Sequence, residues 1–172
     1  MKKVIIFLFV GVLSIGATFA QRSVFVDTDY ILNKIPAYKE AQEQLDKTTL
    51  EWQTEIQKQI DNLDKMYKQY QVDKVLLSND MRQKREQEIL EKEKEVKELQ
   101  VRRFGPEGDR FKKEEELMRP IQDEVFNAIK AIAEAQNYGF VFDASSNALS
   151  LIYTDSKLDI SDDVLKKLGY IK

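Results

Sequence analysis

A narrow stripe of mainly apolar residues with helical spacing runs through the middle of the chain. Its positions alternate in steps of three and four residues; they are Thr49, Trp52, Ile56, Gln59, Leu63, Met66 and Tyr70. A second run repeats these steps at Met118, Ile121, Val125, Ala128, Ile132 and Ala135. Such spacing keeps one side of a helix against a partner helix, as in a coiled coil. Two stripes in one chain predict an antiparallel helical hairpin.

The composition of residues 37–137 is typical of long helices, because this region is dense in Glu, Lys, Gln and Leu and has only two glycines and two prolines. Two segments are candidates for the hairpin turn, 78–80 (Ser-Asn-Asp) and 104–108 (Phe-Gly-Pro-Glu-Gly). The second is the stronger helix breaker, but a turn there leaves arms of 66 and 29 residues. A turn at 78–80 leaves 40 and 57 residues. We therefore predict the tip near 78–80, a break at 104–108, and a kink or helix restart near Pro120.

Short β-forming segments flank the helical region on both sides. Strands are predicted at residues 23–27, 139–143, 150–153 and 158–160, followed by a short helix capped by Ser161 and ended by Gly169. The body of residues 21–36 and 138–172 is small, and its strand edges would be open in a monomer. We expect the strands to form a sheet or barrel shared across chains. The candidate residues for this oligomer body are Val24, Val26, Phe140, Phe142, Leu151 and Ile152.

The first twenty residues have the pattern of a secretory signal peptide. Lys2 and Lys3 precede an apolar run, and small residues stand before a predicted cleavage site at Gln21. The alternative is a retained membrane anchor, but the uncharged run of 17 residues is at the lower limit for spanning a bilayer. Since the chain has no cysteine for disulfides, we expect the cleaved protein in a bacterial periplasm.

The composition also excludes several classes of chemistry. With neither His nor Cys, the chain cannot form a Ser-His-Asp triad, a zinc finger or a disulfide. A net charge of −3 gives no electrostatic reason to expect a nucleic-acid partner. Asp27 and Asp29 at a strand-to-helix junction are typical of helix capping, not of a metal pair. We predict no catalytic site, no metal and no cofactor; a carboxylate-dependent hydrolase would need a cleft that no segment is suited to form.

The chain resembles the Skp (OmpH-like) family of periplasmic chaperones over essentially the whole mature chain, and three segments carry the resemblance most clearly. They are the strand end at 27–32, the segment 137–144 with its Phe-Asp-Ala, and the closing segment 158–168. The resemblance implies an α+β homotrimer, with a small β-barrel body and long antiparallel helical hairpins, or coiled-coil tentacles, that enclose a cavity. It also implies an ATP-independent holdase that keeps unfolded outer-membrane β-barrel proteins from aggregating and delivers them to the outer-membrane assembly machinery.

Residues near the predicted tip are candidates for contact with such a client; they are Tyr67, Leu76, Leu77 and Met81. Aromatic residues on the stripe, such as Trp52, are expected in the hairpin core instead. Residues 81–103 carry few apolar groups, so we expect this part of the arm to pack weakly and to be mobile.

The chain departs from the resemblance in its charge. The best-known family members are basic, whereas this chain is acidic, and residues 82–103 hold eight basic and six acidic side chains. The resemblance therefore does not carry lipopolysaccharide binding over to this chain. A second function stays open, a structural periplasmic coiled-coil adaptor or spacer. An adaptor needs a continuous exposed apolar stripe toward the tip, which residues 81–103 do not offer.

Overall fold

The computed structural model of the chain describes residues 22–145 and 152–172. The predicted signal peptide at residues 1–20 and the body candidate Leu151 lie outside the described residues. In chain order the elements are β1 (Arg22–Val26), α1 (Thr28–Lys34), α2 (Pro36–Asp73), α3 (Asn79–Phe104), α4 (Asp109–Gln136), β2 (Tyr138–Asp143), a 3-10 turn (Ser156–Leu158) and α5 (Ser161–Leu168). The described part of the chain is mostly helical, with one small sheet.

The long helices form an arm in which α2 runs outward and α3 and α4 return. At about 1.5 Å per residue, the 38 residues of α2 extend about 57 Å. The chain reverses between Asp73 and Ser78, and the Ser78 hydroxyl caps α3 by accepting a hydrogen bond from the Met81 amide. Helix α2 packs against both returning helices. None of the described helices combines the length and the apolar character that crossing a membrane requires.

The apolar stripe of α2 faces the inside of this arm. All seven stripe positions from Thr49 to Tyr70 are buried or half-buried, and Ile56 is 7% exposed. On α4 the second stripe is buried or half-buried except at Ala135. Helix α4 is continuous through Pro120, so the helix does not restart there. The two stripes therefore form part of the core of the arm, together with Ala41 and Leu45 on α2 and with Ile89, Val96 and Leu99 on α3.

A four-residue break separates α3 from α4. A Cβ atom at Gly105 would clash with the carbonyl oxygen of Val101, and one at Gly108 would lie 2.8 Å from the carbonyl oxygen of Arg102. Between them Glu107 has a left-handed φ of 56°. Because the backbone approaches itself so closely, only glycine fits at both positions. The returning side of the arm is thus two helices joined by a tight loop.

The body is built from both ends of the described chain. Strands β1 and β2 pair in parallel, with Val24 opposite Val141 and Phe25 opposite Phe142. The core beneath the sheet joins β1, α1, α4 and α5; its buried residues are Val24, Val26, Ile31, Leu32, Ile35, Val125, Ala128, Ile160, Val164 and Leu165. Within one chain, helices cover this two-stranded sheet on its core side.

The C-terminal strand predictions need correction. Residues 158–160 do not form a strand: a 3-10 turn ends at Leu158, and only an isolated bridge joins Asp159 to Phe25. The carboxylate of Asp159 accepts hydrogen bonds from the amide and the hydroxyl of Ser161, and this local turn ends the extended segment. Of the predicted strand at 150–153, residues 150 and 151 lie outside the described part, and Ile152 and Tyr153 are not in a strand.

Two of the four predicted caps of the short helices are confirmed, and the other two residues, Asp29 and Ser161, lie inside their helices. Asp27 caps α1 by accepting a hydrogen bond from the Tyr30 amide at 2.8 Å, and Gly169 ends α5 with a left-handed φ of 82°. Ser161 is not a cap but the first residue of α5. Its buried hydroxyl accepts a hydrogen bond from the Asp27 amide at 2.8 Å, so it links the start of α5 to the end of β1.

Candidate functional site

Exposed apolar side chains occur along the whole length of the arm. Each keeps 47% or more of its surface exposed; they are Leu50, Val72, Val75, Leu76, Met81, Leu90, Val101, Phe111 and Phe126. These residues lie outside the two buried stripes and do not form one continuous seam. Scattered apolar groups of this kind favour many separate weak contacts over one deep binding site.

Three of the four predicted client-contact residues lie together at the arm's tip. Leu76 in the turn is 86% exposed, Met81 in the first turn of α3 is 57% exposed, and Leu77 between them is half-buried. Tyr67 lies more than two helical turns away on α2, and its ring is only 37% exposed. The tip therefore presents an aliphatic surface, and Tyr67 is not part of it.

Two tyrosines connect α2 to α3 behind the tip. The hydroxyl of Tyr67 donates a hydrogen bond to the Glu93 carboxylate, and that of Tyr70 donates to Glu86. Both bonds raise the pKa of the phenols above their ordinary value, because a neighbouring carboxylate disfavours the phenolate. The two bonds fix the position of α3 along α2, so Tyr67 has a structural contact besides its predicted role.

A charged and aromatic cluster holds the break between α3 and α4 against α2. The guanidinium of Arg103 bonds Glu55 at 3.0 Å and Asp109 at 2.6 Å, and it stands over the Trp52 ring at 5.1 Å. Partial desolvation lowers the pKa of Arg103, but the hydrogen bonds to Asp109 and Glu55 outweigh it and raise that pKa above its ordinary value. Phe104 completes the cluster, edge to face with Trp52. One side chain thus joins all three arm helices.

The sequence reasoning did not find the role of Arg103. Its signal was present, because Arg103 stands two residues before the Gly-Pro break. Its acceptor Glu55 lies 48 residues away on α2, so residue spacing does not indicate that the two side chains meet. Only the pairing of the helices brings them together.

The predicted oligomer-body residues separate into two groups. Val24 and Val26 are 5% and 2% exposed and pack in the core of their own chain. Phe140 is 53% exposed, and its ring stacks on the half-buried Phe142 at 6.1 Å. Ile152 is 98% exposed. The two phenylalanines therefore form an aromatic surface on the side of the sheet that faces away from the core.

The concave surface between α2 and α4 is an open groove. Tyr38, Phe111 and Met118 line this groove. Its two arginines are neutralised by neighbours on their own helix, Arg110 by Glu114 at 3.1 Å and Arg119 by Glu115 at 3.4 Å. In residues 22–145 and 152–172, no group of three acidic side chains is placed to hold a metal ion.

These features define a class of protein, a small α+β body from which a long helical arm with exposed apolar side chains projects. Comparison with known families then identifies the chain: the model of the OmpH-like outer membrane protein family matches residues 22–168, and the chain belongs to this family. The resemblance to the Skp (OmpH-like) family is thereby confirmed. Membership supports a chaperone role as the general class of function.

A solved structure supports the fold. A Caulobacter crescentus CB15 protein described as an outer membrane chaperone (OmpH-like) superposes with a TM-score of 0.65 at 16% sequence identity. The match covers 87% of this chain and 85% of that chain. No curated protein matched the sequence.

Proposed function

We propose that this protein is an ATP-independent periplasmic holdase that binds unfolded outer-membrane β-barrel proteins between the arms of a homotrimer. It prevents their aggregation and passes them to the outer-membrane assembly machinery. The observation that carries the proposal is the arm itself, which in a member of this family presents exposed apolar side chains along its length.

Scattered apolar contacts suit an unfolded client. Leu50 and Phe111 in the inner half of the arm, Val101 near its middle, Leu90 in its outer half and Leu76 at the tip offer contacts spread over tens of ångströms. Each contact is weak alone, but a long disordered chain touches many of them at once, so the combined affinity is high. Release then needs no nucleotide, because folding of the client into the membrane removes its exposed segments.

The support for the trimer is the edge of β2 and the aromatic side chains on the outer face of the sheet. Strand β2 has β1 on one side, and no other described strand pairs with it. Its outward aromatic pair, Phe140 and Phe142, is exposed or half-buried in a single chain. Open edges and exposed aromatic rings of this kind are normally covered by pairing. We therefore assign these two residues, and not Val24 and Val26, to contacts between chains.

The holdase proposal is tested by diluting a urea-unfolded outer-membrane barrel protein into residues 21–172 and following light scattering. The parent chain should suppress scattering. A variant with Leu50→Ser, Leu90→Ser and Val101→Ser should need several times more protein for the same suppression, because it removes exposed apolar contacts without touching the buried stripes.

A matched control carries Gln53→Ser, Gln83→Ser and Gln100→Ser, which change exposed polar positions on the same helices. This control should protect the client as well as the parent chain does, and circular dichroism should show equal helix content in all three proteins. If the apolar variant protects the client as well as the parent chain does, the exposed apolar side chains are not needed for protection. A parent chain that leaves the client to precipitate would favour the adaptor alternative.

A further inference from the structure

Negative charge is concentrated in the half of the arm that adjoins the body. We define the inner arm as residues 36–55 of α2 and 109–136 of α4, because α2 passes the break at 105–108 where Glu55 bonds Arg103. The inner arm contains seven basic and twelve acidic residues, a net charge of −5. The outer part of the arm, residues 56–108, contains twelve basic and eleven acidic residues, a net charge of +1. The two parts of the arm therefore differ in the sign of their charge.

Much of the negative charge of the inner arm is not neutralised within the chain. Six carboxylates are on exposed residues and have no ion-pair partner in the described part of the chain; they are Glu40, Glu43, Asp46, Glu51, Asp123 and Glu124. The other acidic residues of the inner arm are paired, two of them with Arg103 and four with basic residues of α4. The six unpaired carboxylates are thus available to an external cation.

All three exposed large apolar side chains of the inner arm lie beside an unpaired carboxylate. Leu50 is one helical turn from Asp46 on α2, and Phe126 is three residues from Asp123 on α4, so each pair shares a helix face. Phe111 and Asp46 line the same groove between the two helices. An apolar contact and an unpaired negative charge therefore occur together at each of these places.

We infer that the inner arm selects those segments of an unfolded client that combine basic and apolar side chains. Leu50, Phe111 and Phe126 contact apolar side chains of the client, while Asp46 and Asp123 pair with its lysines and arginines. Charge complementarity favours this occupant, because an acidic segment would meet a carboxylate of the same sign at each apolar contact. The inference rests on the holdase proposal and names the class of client segment that this part of the arm binds.

Fluorescence anisotropy with two labelled, disordered peptides tests the selection. The peptides share the same apolar residues, and one has lysines at the positions where the other has glutamates. Residues 21–172 should bind the lysine peptide about tenfold more tightly than the glutamate peptide. High salt should reduce this preference, because salt screens the charge pairs. Equal binding of the two peptides, or tighter binding of the glutamate peptide, would overturn the inference.

Removal of unpaired carboxylates from the inner arm should reduce the preference to about twofold or less. The variant carries Glu43→Gln, Asp46→Asn and Asp123→Asn, which are exposed positions outside the buried stripes. Circular dichroism should show the helix content of the parent chain. A folded variant that keeps the full preference for lysine would contradict the inference.

A matched control separates the inner arm from overall charge. The variant Asp61→Asn, Asp64→Asn, Glu91→Gln removes the same charge from exposed positions of the outer part, which also have no ion-pair partner in the described residues. Because charges are screened over about 8 Å at physiological ionic strength, this control should keep the preference of the parent chain. Equal loss of preference in the two variants would assign the effect to net charge and overturn the inference.

Protection of a client distinguishes a failure of this inference from a failure of the holdase proposal. If the parent chain suppresses the scattering of an unfolded barrel protein but binds both peptides equally, the holdase proposal stands and the inference is wrong. If it neither protects the client nor binds either peptide, both are wrong. A parent chain that prefers the lysine peptide but leaves the client to precipitate would overturn the holdase proposal and keep the inner arm as a surface for basic segments.

Discussion

The carboxylate of Asp143 joins the end of β2 to the start of α1. It accepts hydrogen bonds from the amide and the hydroxyl of Thr28, at 3.2 and 2.7 Å, and from the amide and the hydroxyl of Ser145, at 3.1 and 2.8 Å. Partial burial raises the pKa of Asp143, but the bonds from Thr28 and Ser145 outweigh burial and lower that pKa below its ordinary value. The ionised form is therefore the one that stabilises the body.

The direction of the pKa shift of Asp143 determines how its stabilisation of the body depends on pH. Because the folded pKa lies below the unfolded value of about 3.9, the stabilisation is present above that pH and is lost as the pH falls through the folded pKa. Asp143→Asn should reduce the free energy of unfolding at pH 7 by about 1 kcal/mol, since an amide cannot accept all four bonds. Urea unfolding monitored by circular dichroism measures this loss.

The deficit of Asp143→Asn should shrink below about pH 4, where the parent chain also loses its carboxylate. Asp123→Asn, at an exposed position of α4, should behave like the parent at every pH. A deficit that stays constant down to the lowest measurable pH would mean that the charge of Asp143 has no part in its effect.

Among single residues, the sequence predicted those whose partners are close along the chain. The position of Asp27 at a strand-to-helix junction predicts a cap, and its amide partner in the structure is three residues away. The hydroxyl of Ser161 was assigned to the wrong partner, because its actual one is the amide of Asp27, 134 residues away. Arg103 was missed for the same reason. Local hydrogen bonds follow from spacing, whereas bonds between distant elements depend on the packing of the whole chain.

At the scale of elements, the junction of α2, α3 and α4 depends on the guanidinium of Arg103. Arg103→Lys keeps the charge but loses the fork that reaches both Glu55 and Asp109 and the flat stacking on Trp52. We expect the arm to lose about 1–2 kcal/mol of local stability. Amide hydrogen exchange in residues 99–112 measures this loss as faster exchange.

The neighbouring substitution Arg102→Lys serves as the control, because Arg102 is exposed and has no ion pair in the described residues. It should leave the exchange of residues 99–112 unchanged. If Arg103→Lys exchanges no faster than Arg102→Lys, the glycine loop holds its position without the Arg103 cluster.

The helices of the arm were easier to predict than the strands of the body. The stripe on α2 extends over seven positions, and a long repeated period is a strong signal. The predicted strand at 158–160 was three residues long, and the side chain of Asp159 diverted it into a turn. Short apolar runs do not distinguish a strand from an extended loop. The sequence therefore indicates where the body lies along the chain, but not which of its segments form strands.

At the scale of the whole molecule, the body and the arm have different sources of stability. The body has a core of ten buried residues drawn from β1, α1, α4 and α5 and their flanks, whereas α3 buries only Ile89, Val96 and Leu99 over 26 residues. We therefore expect the outer arm to open more easily than the body. Such an arm can adapt to clients of different size while the body stays folded, which is what the holdase proposal requires.

The central claim is that several chains join through their bodies and hold one unfolded client between their arms. Size-exclusion chromatography with light scattering tests it most directly, on residues 21–172 alone and after dilution of a urea-unfolded outer-membrane barrel protein into the sample. The account predicts the mass of a trimer, which shifts to that of a soluble trimer with one client. A monomer, or a trimer whose mass does not change while the client precipitates, would contradict it.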